Sequence, residues 1–176
     1  NKPSRSQISR MSIYKPTPSE IVTQSFVEHC CRAYRMSLEG FHGFNHWMRV
    51  LHNGRMLADA EGANLKVVEL FCLLHDTQRL NEDDDPSHGH RAAQYAQTLR
   101  GVWFDLTDGE MDLLTEALTY HSDGYTEGDT TVQVCWDADR LDLGRVGIRP
   151  EPDRLCTNAA KSPFVLEEAY QRSLEN

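Results

Sequence analysis

The sequence predicts an all-α fold, a single compact bundle of about six or seven helices. Three observations predict it. Apolar residues recur at helical spacing through most of the chain, as Val22, Phe26, Cys30 and Ala33 do. Helix-start signals recur between those stretches. Period-two alternation is weak: Thr131 to Trp136 has β propensity, but the DxxRL spacing that follows suits a helix better. A chain of 176 residues fits one domain and can bury roughly 70% of its unfolded surface. No internal repeat, low-complexity tract or linker divides it.

The elements follow in order. Residues 1–15 read as a flexible segment or leader, and the domain as 16–176. Thr17-Pro18-Ser19-Glu20 combines a capping Thr with Pro at the first helical position, so a helix is expected over about 18–37. Phe41-His42-Gly43-Phe44 is a loop, and a second helix runs over about 45–60, ending near Gly62. The third, about 64–78, is apolar around most of its circumference and should lie at the centre. Asp85-Pro86 starts a fourth, through His88 to about Leu99. Thr107 and Glu110 form a capping box, with Leu106 and Met111 as a hydrophobic staple, and the fifth helix runs to about His121. A sixth covers about 131–143. Residues 144–162 read as an ordered surface loop, and Ser162-Pro163 starts a last short helix.

Composition excludes several classes. The formal charge of −9 opposes binding to long nucleic acid. The longest apolar run, Val67 to Leu74, is broken by Glu69 and falls well short of the roughly 18 residues of a membrane span. The five cysteines form no CxxC pair and read as reduced thiols of a cytoplasmic protein.

The chemistry-bearing residues are scattered along the chain. His75 and Asp76 end the most apolar helix, where an unsatisfied polar group is costly. His46 shares a helix face with Val50, Asn53 and Leu57, whereas His29, His42 and His52 read as solvated. Asp137 falls on the side of Arg140 and Leu141, and Asp139 points away as a surface charge. Asp137 needs a cation, either Arg140 or a metal. Jointly, two imidazoles and two carboxylates from three helices suit a divalent ion with open positions for water, unlike a Cys-rich structural zinc set.

The segments His46-Trp47-Met48-Arg49-Val50, Leu73-Leu74-His75-Asp76, His88-Gly89-His90-Arg91-Ala92-Ala93 and Asp137-Ala138-Asp139-Arg140-Leu141 come in that order. The chain thereby resembles the HD-domain superfamily of metal-dependent phosphohydrolases, from about His46 to Gly144. The resemblance implies that His46, His75, Asp76 and Asp137 bind one divalent metal (Mn, Mg, Co, Ni, Fe or Zn). It further implies that His88 and His121 either hold a second ion, with Asp76 bridging, or face substrate phosphate. Ser122 departs from the pattern of dinuclear members, which tend to have a histidine there. Members with one metal often place a Glu three residues after the HD pair, where this chain has Arg79.

The expected activity is hydrolysis of a small phosphate ester, a nucleotide among the candidates, by metal-activated water. Arg79 has the forked donors to grip phosphate oxygens, and Arg49, Arg91 and His121 are the further substrate-binding candidates. Glu82, Asp84 or His88 would transfer a proton to the leaving oxygen. A non-catalytic HD-type metal or ligand-binding module and a di-iron HD-type oxygenase are the alternatives. The expected partner is the small phosphorylated substrate, with no long nucleic acid and no membrane; a homodimer is left open.

Overall fold

The computed structural model describes Ser4, Gln7 and residues 16–175. The expected flexible leader over 1–15 lies almost wholly outside them. From residue 16 onward there are eight α-helices: α1 Gln24–Ala33, α2 Phe44–Glu61, α3 Leu65–Leu74, α4 His88–Leu99, α5 Asp108–Tyr120, α6 Thr130–Arg140, α7 Asn158–Lys161 and α8 Pro163–Ser173. Two 3-10 turns, Leu143–Val146 and Pro152–Arg154, lie between α6 and α7. No strand occurs among the described residues, only an isolated bridge between Arg100 and Phe104. The all-α reading holds, and among the described residues no helix is long and apolar enough to cross a membrane.

Helix α3 is the centre. Every residue from Val67 to Leu74 is buried, including Glu69. That carboxylate is kept there by Arg55, whose Nε and Nη2 lie 2.7 and 2.6 Å from it, and by the Ser19 hydroxyl. α2, α5 and α6 pack around α3, while α4 packs on α5. The first helix starts later than expected. Ser19 Oγ accepts the Val22 N–H instead of leaving it to a helix, Ile21 and Val22 are buried in a bend outside any helix, and Thr23 caps α1 through Phe26 N–H. The capping box at Thr107 and Glu110 is present, and Gly62 ends α2 in the left-handed region at φ 70°.

Close approach depends on two glycines. A methyl group on Gly54 would lie 2.8 Å from both Cys72 Sγ and Val68 Cγ1, so glycine lets α2 settle on α3. On Gly89 it would meet the carbonyl oxygens of Leu118 and Thr119 at 2.5 and 2.8 Å, so glycine lets α4 settle on the end of α5. Both contacts bear on the site, because His46 rides on α2 and His88 opens α4.

Candidate metal centre

Asp76 stands at the middle of four imidazoles. Its Oδ2 lies 3.3 Å from both His46 Nε2 and His75 Nε2. Its Oδ1 lies 3.3 Å from His88 Nε2 and 3.6 Å from His121 Nε2. Within each pair the imidazoles also meet, His46 and His75 at 3.0 Å between Nε2 atoms and His88 and His121 at 2.8 Å. His46, His75 and Asp76 form one group that could hold an ion, and Asp76, His88 and His121 a second. All five residues are buried.

The tautomers follow from the other ring nitrogen. His75 Nδ1 faces the Cys72 carbonyl at 3.2 Å, His88 Nδ1 the Asp85 carbonyl at 2.5 Å, and His121 Nδ1 the Leu118 carbonyl at 2.7 Å. A carbonyl only accepts, so each Nδ1 carries the proton and each Nε2 presents a lone pair inward. His46 Nδ1 faces Asp142 Oδ2 at 2.6 Å with the same result. Two lone pairs at 3.0 Å repel unless a proton or a cation lies between them. Ligand atoms about 2.1 Å from one ion are roughly 3.0 Å apart at right angles and about 3.4 Å apart at tetrahedral angles. The separations around Oδ2 of Asp76 lie in that range. The donor set therefore fits a divalent ion.

Asp139 completes the first group. Its Oδ1 lies 3.2 Å from His46 Nε2 and 3.4 Å from His75 Nε2, and this buried oxygen has no hydrogen-bond partner. A carboxylate oxygen is kept in such a place only by positive charge. The expectation for Asp137 is corrected accordingly. Asp137 is buried, but it accepts the N–H groups of Cys156 and Thr157 and the Thr157 hydroxyl, each at 2.8 Å, and so anchors a loop. The face argument failed because α6 is buried nearly all round, from Thr131 to Ala138 save Gln133. Apolar neighbours then mark no single side.

Charge on the site is mutually supported. Burial disfavours a charged His75, but Asp76 and Asp139 outweigh it and raise its pKa to about 10. Burial and Arg145 oppose charge on His46, yet its contacts with Asp139, Asp142 and Asp76 carry its pKa upward. Burial would raise Asp76 and Asp139, but His75 above all, with its neighbouring imidazoles, holds both well below the usual carboxylate range.

A cavity of about 600 Å³ opens onto this group. Asp76, His88, His121 and Asp139 form its floor, and Arg79, Arg140, Arg145, Arg149 and Arg154 are among its lining residues. Arg79 is buried, and its Nε and Nη1 lack hydrogen-bond partners, with Asp76 Oδ1 at 3.7 Å from Nε. Arg145 donates to the Phe41 and Asp142 carbonyls at the cavity edge.

Five other expectations are corrected. Arg49 lies behind the site: Nε donates to Asp142 Oδ1 at 2.8 Å, so it orients the acid that orients His46. Arg91 is taken up by Asp85, whose oxygens lie 2.7 and 2.6 Å from its Nη2, and does not line the cavity. Asp84 is exposed and outside the cavity lining. Glu82 is also outside it, but its Oε2 holds Nδ1 of His42 at 2.8 Å. His42, expected to be solvated, lines the cavity, and burial leads the influences that lower its pKa. Asp142 was missed, although Arg49 three residues after His46 on a buried face called for an acid facing both.

A family model for the HD domain matches residues 43–144. Comparison with curated proteins found no match. Among solved structures, the chain is similar to the crystal structure of a predicted HD superfamily hydrolase from an uncultured Thermotogales bacterium. The TM-score is 0.65 at 24% identity, covering 86% of this chain and 87% of that one, a likeness of fold. The family match spans more than half of the chain and takes in His46, His75, Asp76, His88, His121 and Asp139, so this protein belongs to the HD domain family.

Proposed function

We propose that this protein is a metal-dependent phosphohydrolase acting on a small phosphate ester, with a nucleotide among the candidates. The observation that carries the reading is the convergence of four inward Nε2 lone pairs on the two oxygens of one buried Asp76, under an arginine-lined cavity. His46, His75, Asp76 and Asp139 would hold one divalent ion, and Asp76 Oδ1, His88 and His121 a second. Such ions supply an activated water for attack on phosphorus and positive charge for its oxygens.

The chain's own residues do the rest. Arg79 has unsatisfied donors beside Asp76 and binds phosphate oxygens that develop charge. His42 has Nδ1 on Glu82, which leaves Nε2 to accept a proton in the cavity. Glu82 thus acts through His42. The overall charge of −9 does not oppose a small anion, because the local charge is set by the arginines and the bound ions.

The test is elemental analysis of protein purified without chelator, followed by a phosphate-ester screen with Mn²⁺, Mg²⁺, Co²⁺, Ni²⁺, Fe²⁺ and Zn²⁺. Ester hydrolysis that disappears in Asp139→Ala is expected. Bound metal with no ester hydrolysed would instead mark a binding module. A di-iron oxygenase would need both His88 and His121 on metal, and their convergence on Asp76 is compatible with that; full activity under anaerobic conditions removes that alternative.

A further inference from the structure

One wall of the cavity comes from outside the segment that matches the HD domain. Arg145, Ile148, Arg149, Pro150, Arg154 and Leu155 line it together with one acid, Glu151, and all follow residue 144. The reacting phosphate needs only part of the positive charge in this cavity. Arg79 lies against Asp76, and Arg145 donates to the carbonyl of Asp142, the residue that holds His46, so these two serve the metal end.

Arg149 and Arg154 have no comparable task there. The guanidinium of Arg149 lies 3.8 Å above the Tyr170 ring, and its Nη1 donates to Glu167 at 2.8 Å. These contacts fix its plane and leave further donors free. Arg154 reaches Glu151 at 3.9 Å, with both side chains mostly exposed, a pairing that contributes little by itself. The backbone carrying Arg154 is held in place. Asp137 binds the N–H groups of Cys156 and Thr157, and Arg140 donates to the carbonyls of Arg154 and Tyr125. Apolar Ile148, Pro150 and Leu155 line the same wall. A volume of about 600 Å³ suits a ligand much larger than one phosphate.

We infer that the substrate carries a second anionic group, joined to the reacting phosphate through an uncharged spacer, and that Arg149 and Arg154 bind it. The chemical class is a phosphate ester bearing a second phosphate or a carboxylate. This inference rests on the phosphohydrolase reading.

Binding of glucose 6-phosphate and glucose 1,6-bisphosphate to Mn²⁺-loaded protein, followed by calorimetry, tests it. The bisphosphate should bind at least about tenfold more tightly, and Arg149→Ala with Arg154→Ala should narrow the gap to under about threefold. Arg149→Lys with Arg154→Lys should keep an intermediate gap, and a thermal melt of each variant checks that the fold is retained. Equal affinities, or a gap that survives the double alanine variant, would overturn the inference. Monoester hydrolysis without a gap sinks this inference alone. A gap without hydrolysis of any ester sinks the phosphohydrolase reading. Failure to bind either probe sinks this inference and leaves the phosphohydrolase reading to the ester screen.

Discussion

Asp137 and Thr157 are joined by two hydrogen bonds on one carboxylate oxygen, from the Thr157 N–H and hydroxyl, both 2.8 Å long. Two residues later on the same helix, Asp139 has a buried oxygen facing two imidazoles and no donor. The two acids of one Asp-Ala-Asp triplet therefore have opposite jobs. Asp137→Ala should leave buried donors unpaired and cost about 3 kcal/mol, with a fall in melting temperature of roughly 10 °C. Asp139→Ala should keep most of the fold and lose metal. Metal content and melting curves of the two variants check this; metal loss on Asp137→Ala with an unchanged melt would reverse the assignment.

Asp142 bridges His46 Nδ1 and Arg49 Nε. Asp142→Asn removes the charge that sets the His46 tautomer and leaves the Arg49 guanidinium buried without its counter-ion. Metal affinity should fall about 10- to 100-fold. Competition with a metal-sensitive dye measures it, and an unchanged affinity would mean that Asp142 serves only the packing of Arg49.

Gly89 separates the second group from the first. A methyl group there collides with backbone carbonyls of α5, so Gly89→Ala must push α4 away from His121. If two ions bind, this variant should retain the one at His46, His75 and Asp76 and lose the other. Metal per chain should drop from two to one, read by elemental analysis. Two ions retained in a folded variant would show that α4 yields without cost to the site.

Without a bound ion the site holds protons in its place, and this sets a pH dependence. The pKa of His75 is raised from 6.5 to about 10 by Asp76 and Asp139 acting against burial. That contribution to stability is fully present below pH 6.5 and is lost as pH rises towards 10. Asp76 and Asp139 are depressed, so theirs is present above about pH 4 and lost at lower pH. Chelated protein should thus be most stable between about pH 4 and 6.5 and weaken on the alkaline side. A divalent ion competes with those protons, so the gain in melting temperature on adding Mn²⁺ should grow from pH 6 to 8.5. A gain that is flat or shrinks over that range would show that protons do not occupy the ion's place.

Much of this protein could be read before its structure. Helical periodicity, the capping box at Thr107 and the apolar α3 determined an all-α bundle, because these signals are local and act through the backbone. The His75-Asp76 pair was legible for a related reason: two polar groups at the end of a fully apolar helix need a partner. Tertiary structure alone decided which acid of Asp137 and Asp139 meets His46. On a helix buried nearly all round, hydrophobic contrast carries little direction, and the packing of α2 and α3 supplies it. It also decided that Arg49 and Arg91 serve ion pairs inside the fold while His42 lines the cavity. A charged side chain's partner depends on which residues distant in sequence arrive beside it, and no local pattern records that.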